Sequence, residues 1–304
     1  MKTDKTTTKI INSVTELHRL LNLPKPLHPL ITLINHAGIT TIPDEQNNQL
    51  VLNFYNISIK RSFHGQMKYG KNYYDFDEGT MSFVSPNQVI AIDEDEDRNR
   101  DGWSLMFHPD LIRNYSLGKS IKKYGFFAYE VNEALHLSEK EEKIIETLTR
   151  NIEQEYQANT DVYSQDVIVS NLELLLNYCN RFYNRQFVTR KMASNDLLTK
   201  FEKILEKYFD EGASLGLPTV TGLAQELNLS PGYLSDMLRT VTGQNTQQHI
   251  HNNLIEKAKD ILTATDLSVS EIAYQLGFEY PQSFNKLFKS KTMVTPLAYR
   301  QSFN

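Results

Sequence analysis

One cysteine in 304 residues is too few for a disulfide framework or a cysteine-rich metal site, because Cys179 has no partner in the chain. No apolar run approaches the ~18–20 residues that span a bilayer. The opening residues, MKTDKTTTKI, lack the apolar stretch of a secretory signal. These absences point to a cytoplasmic protein with no membrane partner. A basic surplus is missing too. The formal net charge is −5, so the chain as a whole does not advertise nucleic-acid binding. There is no glycine-rich phosphate loop and no nucleophile elbow. The eight histidines are scattered, and only His249 and His251 are close. On a helix, residues two apart do not share a face. We therefore assign no catalytic residue, no metal and no cofactor. A cupin-type metal enzyme, which needs clustered His and carboxylate ligands, is the enzymatic reading set aside.

What is present is a chain of ordinary globular composition, 40% hydrophobic and 23% charged. Its length suits two domains. Residues 1–130 are rich in aromatic and β-branched residues. Leu50–Ile59 ends in strand-like alternation, Met81–Val84 follows a turn at Asp77–Thr80, and Val89–Ile92 follows Ser85-Pro86-Asn87. Trp103–Phe107 closes the series. Short strands at this spacing predict a small barrel or sandwich. The run Asp93–Asp97 is most simply a solvated loop. The aromatics Phe54, Tyr55, Phe63, Tyr69, Tyr73, Tyr74, Phe76 and Phe83 either fill the core or line a pocket. A polar rim from His64, Tyr73 and Trp103 is the candidate effector site.

Two helices follow, at about 138–158 and 161–185. The first opens on a capping box, Ser138 with Glu141. The second carries Val167, Ile168, Leu172, Leu175, Leu176, Cys179 and Phe182 as an apolar stripe that must be covered. Packing within the domain and a helix-to-helix dimer are both open readings. Residues 187–196 are polar with little periodicity and are expected to link this domain, 1–186, to a second, 197–304.

The second domain contains an internal repeat. At a shift of 49, Val220, Leu223, Ala224, Leu227 and Leu229 match Val269, Ile272, Ala273, Leu276 and Phe278. At a shift of 50, Leu234 and Leu238 match Phe284 and Phe288. Each copy fits a helix, a tight turn and a second helix, at about 220–241 and 269–291. The small Ala224 and Ala273 suit a close helix crossing. Asn228 and Gly277 suit a left-handed turn residue. Ser268 with Glu271 forms a capping box, while Ser230-Pro231 and Thr295-Pro296 each place an N-cap before a first-turn proline. Between the copies, Ile250, Leu254, Ala258, Ile261 and Leu262 mark a connecting helix over about 246–264. One rigid helix there would let two recognition helices enter successive major grooves, ~34 Å apart.

From about Leu197 to Phe303 the chain resembles the DNA-binding domain of AraC/XylS-type transcriptional regulators. The resemblance rests on Ala258–Leu262, Asp266–Ala273, Leu276-Gly277-Phe278, Phe284, Phe288-Lys289, Thr295-Pro296 and Tyr299-Arg300. It implies an α+β protein, with a cupin-like N-terminal β-barrel and helices for sensing and dimerisation, then an all-α domain with two helix-turn-helix units. It further implies double-stranded DNA as partner, a homodimer, a small-molecule effector or a controlling protein, RNA polymerase contact and an activating role. Carried over by position, the DNA-facing residues are Tyr233, Ser235, Asp236 and Arg239 in the first unit. Those in the second are Pro281, Gln282, Ser283, Asn285, Lys286, Lys289 and Lys291. Gln282, Asn285 and Lys286 suit base edges; Arg239, Lys289 and Lys291 suit phosphates. Asp236 can accept from cytosine N4 but also repels phosphate, and Gly232 reaches nothing. Residues 216–304 hold seven Lys/Arg and seven Asp/Glu, yet from Tyr280 onward there are three Lys, one Arg and no acid. Affinity grows with the phosphates neutralised, so modest binding per monomer is expected.

Overall fold

A computed structural model describes residues 7–39, 48–61, 63–69, 72–76, 79–91, 101–130, 133–158, 161–189, 191–210 and 216–303. Side chains are described for all of these except 7–8, 48–49, 63–69, 72–76, 89–91, 189, 191–195 and 210. The chain divides into two compact units, Met1–Gln186 and Phe187–Asn304.

The first unit is mixed α and β. Its strands are β1 (Thr7–Ile11), β2 (Ile31–Asn35), β3 (Asn48–Leu52), β4 (Tyr55–Lys60), β5 (Phe63–Tyr69), β6 (Asn72–Phe76), β7 (Thr80–Val84), β8 (Gln88–Ala91), β9 (Gly102–Phe107) and β10 (Leu135–His136). They form three sheets, ordered β1-β3-β8, β10-β7-β4-β9-β2 and β5-β6. The expected barrel is not seen as a closed sheet: none of the three closes on itself among the described residues. The acidic run Asp93–Asp97 lies outside the described residues.

Side chains alternate across the five-stranded sheet, and the register fixes which share a face. Ile57 and Ile59 of β4 stand beside Leu105 and Trp103 of β9 and Phe83 and Met81 of β7. All six are buried. Phe83 meets Phe126 and Tyr183, so the helical part of the unit covers this side. Trp103 is therefore a core residue on that apolar side, with under a tenth of its surface exposed. That differs from the polar rim expected for it. His64 and Tyr73 fall on β5 and β6, where side chains lie outside the described part.

Short helices α1 (Val14–Leu20), α2 (Pro109–Ile112) and α3 (Ser116–Ser120) precede two long ones, α4 (Glu139–Gln157) and α5 (Ser164–Thr189). The Ser138/Glu141 capping box opens α4 as predicted. Arg61 at the end of β4 pairs with Glu142 and Glu146 and so ties α4 to the sheet. Tyr156 of α4 accepts the Leu33 backbone N–H at 3.2 Å, and burial pushes its phenol up to about 12. On α5, Ile168, Leu172, Leu175, Leu176, Cys179 and Phe182 are all buried within the chain itself, while Val167 is exposed. Packing accounts for those six. Burial also drives the Cys179 thiol far above its ordinary range, which leaves it an inert apolar residue.

Of the residues expected as a linker, 187–189 belong to the end of one helix and 191–196 to the start of the next. Helix α5 runs to Thr189, and α6 (Lys191–Asp210) begins two residues later. A polar helix without an apolar stripe gives little sequence signal, because periodicity reports burial rather than helicity. The second unit then continues with α7 (Val220–Glu226), α8 (Pro231–Thr242), α9 (Thr246–Ala264), α10 (Val269–Gln275), α11 (Pro281–Thr292) and α12 (Pro296–Gln301). Among the described residues no helix is long and apolar enough to cross a membrane. Nor is there a group of three His, Cys, Asp or Glu placed to hold a metal ion.

Candidate nucleic-acid interface

The two repeat copies fold alike, down to individual hydrogen bonds. Helices α7 and α8 form the first unit, and α10 and α11 the second. Ala224 and Ala273 are fully buried where the helices cross. Asn228 and Gly277 take the left-handed conformation, with φ of 55° and 86°. The next backbone amide then turns back in both copies. Leu229 N–H donates to the Ala224 carbonyl and Phe278 N–H to that of Ala273, each at 2.9 Å. Gly277 is constrained a second time, since a Cβ there would come within 2.8 Å of the Gly216 backbone.

The second helix of each copy is anchored on one side only. Leu234, Met237 and Leu238 are buried beneath α8, and Phe284 and Phe288 beneath α11. Truncating such a phenylalanine to alanine costs about 3–5 kcal/mol. At about 100° per residue, Lys286 lies directly opposite Phe284 and Phe288, Gln282 and Ser290 lie about 40° to either side of it, and Lys289 and Ser283 about 60°. Gln282, Ser283, Asn285, Lys286 and Lys289 are all exposed. Neither Lys286 nor Lys289 makes an ion pair among the described residues. Pro281, half-buried, starts the helix rather than presenting a polar group. Lys291 lies to one side, with Nζ 3.2 Å from Asn252 Oδ1 of α9. Arg300 is held by the Leu262 and Leu267 carbonyls, at 2.9 and 2.7 Å, and serves the packing of α12. The free positive charge of this copy thus comes from lysines of α11.

The first copy presents different chemistry on the same frame. By the shift of 50, Asp236 occupies the place of Lys286 and Arg239 that of Lys289. Arg239 Nη1 donates to Asp236 Oδ1 at 2.6 Å, so the outer face of α8 carries an internally paired charge. Ser235 Oγ sits 3.0 Å from Thr246 Oγ1, which turns it toward α9 and away from the outer face. Tyr233 is half-buried, its ring edge-on to Phe187 at 5.1 Å.

Helix α9 holds both copies. Asn245 and Gln248 form its capping box, and Ile250, Leu254, Ile255, Ala258 and Leu262 are buried along it. His249 Nε2 lies 2.8 Å from Thr242 Oγ1 at the end of α8, and burial lowers its pKa.

One residue escaped the sequence reading. Tyr280 is the N-cap of α11, yet it makes no side-chain cap bond and is exposed. Ser230 at the matching place caps α8 by accepting the Tyr233 N–H at 3.2 Å. A tyrosine where the repeat calls for a capping serine was the available signal. Pro281 has no N–H and the Ser283 N–H donates to the Tyr280 carbonyl at 3.0 Å, so the Gln282 N–H is the group at this helix start that can meet a phosphate.

Residues 223–302 match the helix-turn-helix domain family. The chain is 25% identical over 194 residues to the HTH-type transcriptional regulator YijO of Escherichia coli, covering 64% of this chain and 65% of that protein. It is 32% identical over 106 residues to the regulatory protein PocR of Salmonella typhimurium, covering 35% of this chain and 34% of that one. It therefore spans between a third and two thirds of the length of these two relatives. Among solved structures, the C-terminal domain of the response regulator yesN from Fusobacterium nucleatum is 34% identical, over 33% of this chain and 96% of that one, with a TM-score of 0.30.

Proposed function

We propose that the chain, whose C-terminal domain is a helix-turn-helix domain of the AraC type, is a DNA-binding transcriptional regulator. The observation that carries this reading is the pair of copies on one connecting helix, each burying one side of its second helix and leaving the other exposed. A helix exposed in this way fits a major groove, and a rigid α9 sets the spacing for two successive grooves. In α11, Gln282, Asn285 and Lys286 read base edges, while Lys289 and Tyr280 hold the backbone. In α8, Arg239 and Asp236 act as a pair, with Tyr233 and Ser235 positioning the helix. Pro281, Ser283 and Lys291 flank the main contact surface.

The N-terminal unit, with its mixed strands and helices, senses a small-molecule effector and carries the homodimer contact. An effector can act only by binding one arrangement of the dimer better than another. RNA polymerase contact and a cytoplasmic site of action belong to the same reading. No enzymatic role is assigned.

Selection of bound sequences from a random duplex pool, with full-length protein at fixed salt, tests this. A motif of two elements about one helical turn apart, duplicated by the dimer, is the expected result. No enrichment from a folded protein, with or without cell extract as an effector source, would sink the reading.

A further inference from the structure

Buried polar side chains gather at one place in the N-terminal unit that no role above uses. They lie on the face of the five-stranded sheet opposite Trp103. Asn56 and Ser58 of β4 and Ser104 of β9 are each less than a tenth exposed. Ser58 stands directly across from Ser104, and Asn56 across from Met106. His36, just after β2, brings Nε2 to 2.8 Å from Ser104 Oγ. Ser104 Oγ lies 2.8 Å from Ser58 Oγ, and Ser58 Oγ donates to Asn56 Oδ1 at 3.1 Å. Gly102 makes room for the imidazole, since a Cβ there would come within 3.1 Å of His36 Nδ1 and would strike the Ile59 carbonyl. The ladder His36–Ser104–Ser58–Asn56 ends on the Asn56 amide nitrogen, which has no partner among the described residues.

A buried amide with unused donors is costly, and native structures seldom keep one without a use. We propose that this amide is the recognition end of a small-molecule site. The ligand is an uncharged molecule that offers a carbonyl or hydroxyl oxygen to Asn56 and an apolar flank to the sheet. Three features set that chemistry. The open valence is a donor, so it wants an acceptor oxygen. The ladder contains no carboxylate, ammonium or guanidinium, so an ionic ligand would be buried without a counter-charge. Lys60, two residues further along the same face of β4, already has a partner. Beside the ladder the face turns apolar, because Met106 and Ile34 belong to a core with Ile11, Leu52 and Phe54. A few placed polar groups against an apolar wall are the usual make-up of a small-molecule site. The inference deepens the sensing role proposed above and rests on it, though binding can be read without DNA.

The test is thermal unfolding of the full chain, wild type and Asn56→Leu, alone and with millimolar 2-pyrrolidinone, cyclohexanone or cyclohexanol. Benzoate serves as the charged control. Leucine removes the unpaired amide at similar volume but also the oxygen that accepts from Ser58 Oγ, so the empty variant is expected to melt within ~2–4 °C of wild type. At least one neutral probe should raise the wild-type midpoint, leave the variant unmoved, and shift the Asn56 side-chain NH2 resonance, while benzoate does none of these. If no neutral probe moves that resonance, ordered water satisfies the amide and the site does not exist. Should Asn56→Leu not fold, the resonance alone decides, since an amide that ignores all three probes also overturns the proposal. A probe that binds through Asn56 yet leaves operator affinity unchanged supports the site and refutes the sensing role.

Discussion

Lys286→Ala and Lys289→Ala should weaken DNA binding in different ways, and the difference follows from their places on α11. Both side chains are exposed and unpaired. Lys286 sits mid-helix and directly opposite the Phe284/Phe288 anchor, where a helix lying in a major groove comes nearest the base edges. Lys289 is almost a turn further along, toward the helix end and the groove wall. Losing a base contact costs about 1–3 kcal/mol on the preferred sequence, roughly 5- to 140-fold in affinity, and relaxes one base preference. Losing a phosphate contact weakens every sequence alike and removes about 0.9 from the log–log salt slope. Between 50 and 200 mM salt that slope corresponds to about 3.5-fold per contact. Fluorescence anisotropy on the selected duplex and on a scrambled one, across that salt range, separates the two. The reasoning fails if Lys286→Ala weakens both duplexes equally and keeps every base preference.

Asp236→Asn should act in the opposite direction. Freed from the 2.6 Å pair, Arg239 can take a phosphate, so binding tightens on any duplex and the salt slope steepens by about 0.9. A loss confined to the preferred duplex would show instead that the carboxylate reads a base. The left-handed residues that close the two recognition helices give a stability contrast. Gly243→Ala is expected to cost about 1 kcal/mol, the left-handed penalty less the entropy removed from the unfolded chain. Nothing lies within 4 Å to add a clash there. Met293 holds the matching place at φ 66° with its side chain exposed, so Met293→Gly should gain a similar amount; urea unfolding that moves both variants the same way contradicts the geometry. Burial lowers the pKa of His249 and of His251. Their contribution is complete above the unfolded value of about 6.5 and is lost as pH falls through the lower folded values. Stability of the C-terminal unit should therefore decline on acidification below about pH 6.5, and His249→Gln should flatten that decline.

The helix-turn-helix copies were legible because their determinants are local. Caps, a left-handed turn residue, a small crossing residue and an i, i+4 anchor all fall within about two dozen residues, and each is a choice of residue type. The N-terminal unit was legible only as strands. Alternation in Asn56-Ile57-Ser58-Ile59-Lys60 separates two faces of β4 but does not say what covers either. The polar face reads as solvent-facing, yet Asn56 and Ser58 are buried. Trp103 misled for the related reason that its face is set by register with β4, a non-local fact. Lys291 and Ser235 looked like outward cations and hydroxyls until α9 supplied Asn252 and Thr246 as partners. Sequence spacing placed them on the right helices; only the packing decides where their polar atoms go.

The repeat also separates what the fold requires from what the surface is free to vary. Every matched pair that builds the scaffold keeps its physical character: Ala224 with Ala273, Leu234 with Phe284, Leu238 with Phe288, and Asn228 with Gly277. Pairs on the outer faces do not. Asp236 stands for Lys286, Ser235 for Asn285, and Ser230 for Tyr280. If both copies met DNA by charge alone, the aspartate would repel the phosphates that the lysine attracts. A division of labour removes the contradiction. On the proposed reading, the second copy, with unpaired lysines and no acid after Glu279, would provide the attraction that brings the domain down. The first, with a neutral Asp236–Arg239 pair, adds little to affinity and penalises a misplaced backbone, so it discriminates. On that account scrambling the first element costs preference over unrelated duplexes, whereas Lys289→Ala costs affinity for every duplex alike.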